Sequence, residues 1–167
     1  MLRREASLLD PGLRADALRE AVRLARRSGD SVGEVEGLED LARDAGTSGK
    51  AGTSVALLAV AAGVQAARAD RAGFVRAVML AGRTLCEAWG PDRDVPSGMV
   101  MLLWAESEAR RFDDTLGRLL KDYLTGFQYT LSEAEFAEVE PFLALDPRAV
   151  VDATLARYME VHREELP

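Results

Sequence analysis

The sequence predicts an all-α domain over residues 1–167, and three observations support that prediction. Apolar residues recur at helical spacing along most of the chain, which is typical of helices with one buried face. Pairs that favour helix starts, such as Asp146-Pro147, and helix ends, such as Gly90-Pro91, separate these segments. The segment from Ser54 to Arg68 is apolar on every side, so we expect it to form a helix at the centre of the domain.

The first two helices are predicted from their caps and apolar faces. The first should begin at Asp10-Pro11 and end at Ser28-Gly29, where glycine suits the turn after a helix. The second should run from Ser31 to Ala45, with Asp30 or Ser31 as its cap and Glu34 completing a capping box with Ser31. The inward faces are predicted to be Leu18, Ala21, Val22 and Ala25 in the first helix, and Val32, Val35, Leu38, Leu41, Ala42 and Ala45 in the second.

The segment from Gly46 to Thr53, GTSGKAGT, lies between the second helix and the central one. Glycines, hydroxyls and a lysine before a helix are features of phosphate-binding loops. However, Ala51 follows Gly49-Lys50 where a P-loop has Ser or Thr, and no strand precedes the segment. We therefore expect a mobile linker. The central helix is shorter than the roughly 20 apolar residues that cross a membrane, so no membrane association is expected.

The second half of the chain is expected to contain five more helices. They are predicted over Ala72 to Ala88, with an apolar stripe ending on Trp89, over Ser97 to Arg110, and over Asp113 to Phe127. A capping box of Ser132 and Glu135 should open a short helix that ends before Pro141, and a last helix should follow Asp146-Pro147. In the sixth helix the predicted buried residues are Leu116, Leu119, Leu120, Tyr123, Leu124 and Phe127.

Paired helices of about 35 to 44 residues have the scale of stacked helical hairpins. The stretch from Ser54 to Trp89 resembles a tetratricopeptide-type hairpin, with a small-residue helix around Gly63, the turn Ala-Asp-Arg-Ala from Ala69, and Ala77 on the second helix. The resemblance implies stacked antiparallel helical hairpins. A compact irregular helical bundle is the alternative fold.

Charge and cysteine content restrict the classes of function and compartment. The net charge is −7, and the basic residues concentrate in the first 28 positions while residues 130–167 hold nine acids against three arginines. Nucleic-acid binding is therefore not expected. A single cysteine, Cys86, and a start without an apolar segment predict a cytoplasmic protein, and the bias to arginine over lysine suggests a bacterial one. The basic first helix could dock on the acidic end of a second copy, as a homo-oligomer.

No residue pattern predicts catalysis, a cofactor or a metal site. His162 is the only histidine, has no partner at metal-ligand spacing, and is expected at the surface. Cys86 lies in an apolar stripe and is expected to be an inert core thiol. The carboxylates Glu106, Asp113 and the glutamates of residues 133–140 are expected to be caps or solvated groups.

Aromatic residues offer the remaining candidate site. All ten lie at or after Phe74, and Trp89 and Trp104 flank the Gly-Pro linker. We predict a non-catalytic module that binds a protein or a peptide, with Trp89, Trp104, Phe112 and Tyr123 as candidate contacts. The alternative is a sensor for a small molecule or peptide, which would have a closed aromatic-lined pocket near Trp104 in the C-terminal half.

Overall fold

The computed structural model describes residues 11–167, and over that range the all-α prediction is confirmed: the chain forms eight α-helices and no strand. Asp10, the predicted cap of the first helix, lies outside the described residues. Two short 3₁₀ turns occur at Gly90–Asp92 and Arg163–Glu165. The helices are α1 (Pro11–Ser28), α2 (Ser31–Thr47), α3 (Ala51–Ala67), α4 (Arg71–Glu87), α5 (Val95–Ala109), α6 (Asp114–Gln128), α7 (Glu133–Leu143) and α8 (Pro147–Val161).

Each helix from α1 to α5 packs against the next one along the chain. The last helix, α8, returns to lie against both α3 and α5, and α7 packs on α5. As a result α3 is central, as predicted, and its residues from Ala51 to Ala59 are all buried. In the part of the chain described, no helix is both long and apolar enough to cross a membrane.

The first four helices begin at a spacing of 20 residues, at positions 11, 31, 51 and 71. The same turn separates them each time. Gly29, Gly49 and Ala69 adopt left-handed φ angles of 73°, 76° and 56°. The next N–H then donates to a carbonyl five residues earlier, with N···O distances of 2.9 Å for Asp30 to Ala25, Lys50 to Ala45 and Asp70 to Gln65. This geometry is the Schellman motif, which satisfies the last carbonyls of a helix.

These turns make residues 11–50 and 51–90 a tandem pair of 40-residue helical hairpins. The tetratricopeptide repeat has about 34 residues, so this unit is longer than that pattern. Gly63, the glycine of the resemblance, is exposed, and no atom lies within 4 Å of the position its Cβ would take. The structure thus shows a helical stack with neighbouring helices packed together.

The predicted linker from Gly46 to Thr53 is wrong. Helix α2 extends to Thr47 and α3 begins at Ala51, so only residues 48–50 connect the two helices. The Schellman turn at Gly49 is compact enough to reverse the chain in three residues, and it leaves Thr53 and Ser54 buried inside α3.

The close contact between α4 and α5 was not predicted from the sequence. It occurs at two glycines, Gly82 and Gly98, where a Cβ built on Gly98 would lie 2.7 Å from the carbonyl oxygen of Gly82 and 2.7 Å from the Cys86 sulfur. Helical periodicity identifies which face is apolar, but it does not identify which small residue allows the backbones to touch.

Helical periodicity also predicted that several side chains are buried, but the structure shows them exposed. Val32 is half-exposed, and Leu119 is 62% exposed on α6. Trp89 is 90% exposed because Ala88, with ψ of 157°, turns the chain out of the α4 helix before it. Helix α7 was expected to end before Pro141 but continues to Leu143.

The predicted capping box of Ser31 and Glu34 is absent. Asp30 is the cap of α2 and accepts from the Gly33 N–H at 2.9 Å. Glu34 is buried instead and accepts from Arg26 Nε of α1 at 2.8 Å. The Glu34 side chain therefore links α1 to α2 and does not cap α2.

We expect Gly98→Ala to destabilise the protein by about 1–3 kcal/mol, because the added methyl group cannot be accommodated between two backbones. Gly63→Ala should instead stabilise it by about 0.5–1 kcal/mol, since that position is open and helical. Urea denaturation of both variants measures the two free energies of unfolding. Equal effects of the two substitutions would show that the α4–α5 contact is not tight.

The three turns give a second prediction. A left-handed conformation costs a non-glycine residue about 1–2 kcal/mol, so Ala69→Gly should stabilise the protein by about 1 kcal/mol after the added chain entropy is subtracted. Gly49→Ala should destabilise it, because alanine would then take the strained conformation. Thermal unfolding of the pair tests this. An unchanged melting temperature in both variants would contradict the shared turn geometry.

Candidate functional site

The four predicted contact residues do not form one cluster. Trp89 and Tyr123 lie at the C-terminal end of α4, where the Tyr123 hydroxyl donates to Glu87 at 2.8 Å. Trp104 contacts Phe74 near the other end of α4, about 20 Å away along the helix axis. Phe112 lies in the turn between α5 and α6.

We use the name aromatic end surface for Trp89, Tyr123, Tyr129 and Phe136. Tyr123 is anchored to Glu87, and Phe136 follows Glu135, which accepts from Arg93 at 2.7 Å. The same Arg93 side chain donates to the carbonyl of Ala88, the residue before Trp89, at 3.4 Å. Trp89 and Tyr129 are 90% and 88% exposed. The C-terminal ends of α4 and α6 and the first turn of α7 therefore lie near one another, and each has at least one of these aromatic residues in it or next to it.

Arg93 gives this surface a rigid frame. Its guanidinium donates to the carbonyl of Cys86 at 3.0 Å as well as to Ala88 and Glu135, so it satisfies carbonyls at the end of α4 and ties them to α7. Gly90, with φ of 72°, begins the 3₁₀ turn that returns Arg93 to this position. Trp89 is thus held on an ordered backbone although its side chain faces solvent.

Glu135 is the carboxylate that pairs with Arg93. Its Oε2 accepts from the Ser132 backbone N–H at 2.9 Å, and Ser132 Oγ accepts from the Glu135 N–H at 3.3 Å, which is the predicted capping box. The backbone hydrogen bond from Ser132, then the Ser132 hydroxyl and Arg93, lower the pKa of Glu135 to about 2.

The other acidic side chains of α7 are not paired with basic groups of the described residues. Glu133, Glu138 and Glu140 are exposed, and none of them makes an ion pair with any residue in 11–167. Glu135 is the exception through Arg93. A negative potential therefore lies beside the aromatic end surface.

Tyr123 is the half-buried member of the surface. Its ring stacks on Phe127 with centroids 6.0 Å apart, and the Arg83 guanidinium lies 5.7 Å from its centroid. Burial, followed by the hydrogen bond to Glu87, raises the pKa of Tyr123 well above its ordinary value. The phenol therefore remains a hydrogen-bond donor to Glu87 at neutral pH.

Trp104 forms a right-angled corner with Phe74, with centroids 5.7 Å apart and an interplanar angle of 86°. The Arg148 guanidinium of α8 occupies that corner, 4.7 Å from the Phe74 ring and 5.4 Å from the Trp104 ring. A cavity of about 320 Å³ lies beside it and is also lined by the ion pair of Arg71 and Glu108. A pocket near Trp104 is thus present, but it opens to solvent and a cation of the chain already covers the rings.

Phe112 lines an open groove of about 780 Å³ between α2 and α4. Val32, Met79 and Leu116 contribute apolar groups to it. Asp113, also in the groove, caps α6 by accepting from the N–H groups of Thr115 and Leu116 at 3.0 Å. Glu106 pairs with Arg110 within α5. Glu106 and Asp113 therefore each have a structural partner.

His162 is not a surface residue as expected. It is the C-cap of α8, stacks on Tyr158 with centroids 6.2 Å apart, and lies so close to Gly52 that a Cβ there would be 2.3 Å from Nε2. Its Nδ1 lies 3.0 Å from Glu165 Oε1, while Glu165 Oε2 accepts from the Thr53 hydroxyl at 2.7 Å. The hydrogen bonds from His162 and Thr53 lower the pKa of Glu165.

This polar group fastens the C-terminal turn to the start of α3 rather than forming a relay. The carboxylate of Glu165 stands between the Thr53 hydroxyl and the imidazole, so His162 does not contact the hydroxyl it would need to deprotonate. Asp92 completes the contact by accepting from the Gly52 N–H at 3.0 Å. The sequence signal was Gly52 itself, since a glycine inside a helix permits a close neighbour.

Cys86 is fully buried among apolar residues of α4 and α5, in agreement with its assignment to the core. Burial raises the pKa of its thiol to about 12, so the thiolate nucleophile is not populated at neutral pH. Over residues 11–167, no three His, Cys, Asp or Glu side chains are grouped so that they could hold a metal ion.

The stability contributed by Glu135 should depend on pH. Because its pKa is lower in the folded chain than in the unfolded one, its contribution is present at neutral pH and is lost as the pH falls from about 4.5 towards about 2. Glu135→Gln should therefore melt at a lower temperature than the wild type at pH 7 and at the same temperature near pH 2. Glu138→Gln is the control, since Glu138 makes no ion pair among the described residues. A difference that is independent of pH would contradict the assignment.

Comparison with known proteins adds no family to this geometry. The chain matches no protein-family model, no curated protein and no solved structure. The structure alone shows the fold, which is an all-helical stack in which adjacent helices pack together.

Proposed function

We propose that this chain is a non-catalytic module of the helical-repeat type that binds a protein or a peptide, and that the partner docks on the aromatic end surface. The observation that carries the proposal is the exposure of Trp89, which is 90% open to solvent on a backbone fixed by Arg93. Large aromatic side chains contribute most strongly to binding when they are held ready for a partner, because little conformational freedom is then lost.

Tyr123 and Tyr129 strengthen the proposal, since Trp and Tyr are the residue types most enriched among dominant contacts at protein interfaces. Exposed aromatic groups at one end of a small domain form an apolar patch that a monomer does not need for its own stability. Trp89, Tyr129 and Phe136 belong to neither of the two core clusters, whereas Tyr123 packs partly against the second one.

The charge beside the surface sets the chemistry of the partner. Glu133, Glu138 and Glu140 have no ion pair of their own in the part of the chain described, so a partner with lysine or arginine side chains would gain complementary charge there. We infer a segment that combines basic residues with apolar ones able to cover Trp89. Stacked helical hairpins present extended surfaces to peptides, and the two 40-residue hairpins of α1–α4, although longer than the tetratricopeptide unit, have that architecture.

The compartment belongs to the same proposal. The one cysteine is buried and unpaired, which suits a reducing bacterial cytoplasm. A second copy of the chain is the competing occupant. However, Arg14, Arg19, Arg23, Arg26 and Arg27 of α1 each already pair with a carboxylate of their own chain. Docking of α1 on α7 of another copy would compete with those pairs.

The test compares four immobilised baits in lysate of the native host: wild type, Trp89→Ala, the triple variant Glu133→Gln/Glu138→Gln/Glu140→Gln, and Leu13→Ala. Leu13 is the matched control, because it is a large hydrophobic residue exposed on a different helix. We expect one protein to be retained by the wild type and Leu13→Ala, lost with Trp89→Ala, and weakened about tenfold by the triple variant. Trp89→Ala should change the free energy of unfolding by less than about 0.5 kcal/mol, since the side chain is exposed.

Overlapping peptides of the retained protein then locate the segment that binds, and its affinity should fall as salt rises because exposed charges are screened. A segment without basic residues, or a protein held equally by Trp89→Ala, would refute the proposal. Sedimentation of the purified chain at low and high salt identifies self-association, in which case the second copy is the occupant.

A sensor for a small molecule or peptide is the second candidate. The corner of Phe74 and Trp104 favours it, because two perpendicular rings around a guanidinium form the geometry in which aromatic groups bind cations. Arg148 would have to leave that corner before a ligand cation entered. Native mass spectrometry of the purified chain tests this, with a bound small molecule that is lost in Trp104→Phe as the supporting result.

A further inference from the structure

A second concave site lies among the first three helices of the stack. An open cavity of about 540 Å³ is bordered by α1, the end of α2, the start of α3 and the C-terminal 3₁₀ turn. This volume is within the range of small-molecule sites. Leu41 and Leu57 give it an apolar floor, and Thr47, Ser48 and Lys50 from the GTSGKAGT segment line its wall.

The charged groups of the cavity are mostly paired. Three carboxylates face it, and each has a partner. Asp16 pairs with Arg19 at 3.2 Å, and Asp44 pairs with Arg14 at 3.0 Å. Glu165 holds the Thr53 hydroxyl and His162. None of these carboxylates is therefore left to attract a cation.

Lys50 is the exception in this lining. It is exposed and forms no salt bridge with a described residue, but its charge helps to lower the pKa of Glu165, another residue of the lining. Its side chain also does not cap α3. The start of α3 is itself already satisfied at Gly52 by Asp92, so the attraction for an anion comes from the lysine and not from the helix end.

We propose that this cavity binds a small organic acid, with the carboxylate or phosphate group of the ligand on Lys50 and its body over Leu41 and Leu57. A ligand anion would give Lys50 a salt bridge that it lacks among the described residues, and the apolar floor would bury the rest of the molecule. The hydroxyl of Ser48 lies in the same wall and can donate to the acid group, whereas the hydroxyl of Thr47 already donates to the Asp44 carbonyl at 3.0 Å. The GTSGKAGT segment thus contributes a lysine to a pocket, although it is not a P-loop.

The chain has only two lysines, Lys50 and Lys121, so one spectrum can test the proposal with its own control. Reductive methylation with ¹³C-formaldehyde keeps the positive charge and gives one methyl signal for each lysine, besides that of the terminal amine. Lys121 is exposed on α6 and does not line the cavity. The probes are 3-phenylpropionate against its neutral amide, and ribose 5-phosphate against ribose, all at constant ionic strength.

We expect the Lys50 signal to move to a saturating value with at least one acid, while the matched neutral compound moves neither signal. The acid that saturates the signal distinguishes a carboxylate ligand from a phosphate ligand. Movement of both lysine signals in parallel would show nonspecific attraction of anions, and no movement with either acid would show that the cavity takes no such ligand. Both of those results overturn the proposal.

Two variants make the result independent of the methylation. Lys50→Gln should weaken binding of the acid about tenfold or more, which is the loss expected for one charged hydrogen bond, and Lys121→Gln should not change it. Trp89→Ala should also bind the acid with wild-type affinity. Failure of the docking proposal at the aromatic end surface is therefore distinguishable from failure of this one.

Discussion

The structure depends on one constraint, which is that α3 has no polar face. Ala51 to Ala59 are all buried, so this part of the helix needs neighbours in every direction. Helices α2 and α4 cover it from the adjacent positions in the chain, and Leu18 and Val22 of α1 join the same core. The remaining side is covered by α8, which has to return from the end of the chain. The polar contact of Glu165 with Thr53 then fixes that return at the first turn of α3.

The regular turns and their interruption explain where the functional surfaces lie. Three Schellman turns place α1 to α4 in a register of 20 residues, and the fourth connection departs from it. In this connection the backbone of Ala88 is extended and Gly90 begins a 3₁₀ turn. The Arg93 side chain then binds the end of α4. Trp89 is exposed because it falls in that departure. The turn at Gly49, in contrast, keeps the register and brings Lys50 to the wall of the cavity between α1 and α3.

The sequence was sufficient to predict the helices and the central position of α3, because apolar periodicity and caps are local signals. It did not predict the contact of Gly82 with Gly98 or the position of His162, since both depend on a partner distant in the chain. Trp89 was assigned to the α4 stripe because it is four positions after Leu85, and one extended residue, Ala88, removed it from that face. The residue types of the candidate site were predicted from the sequence. That Trp89 and Trp104 lie near opposite ends of α4 became visible only from the three-dimensional packing.

The 40-residue unit has a consequence for how such a chain could lengthen by gene duplication. Helix α8 lies against α3 and α5, so a unit inserted between those helices would separate the two surfaces that α8 covers. A copy of the α1–α2 hairpin added before Pro11 would leave the contacts of α8 with α3 and α5 intact. Among the described helices, lengthening at the α1 end would therefore disturb the closure by α8 less than an insertion between α3 and α5.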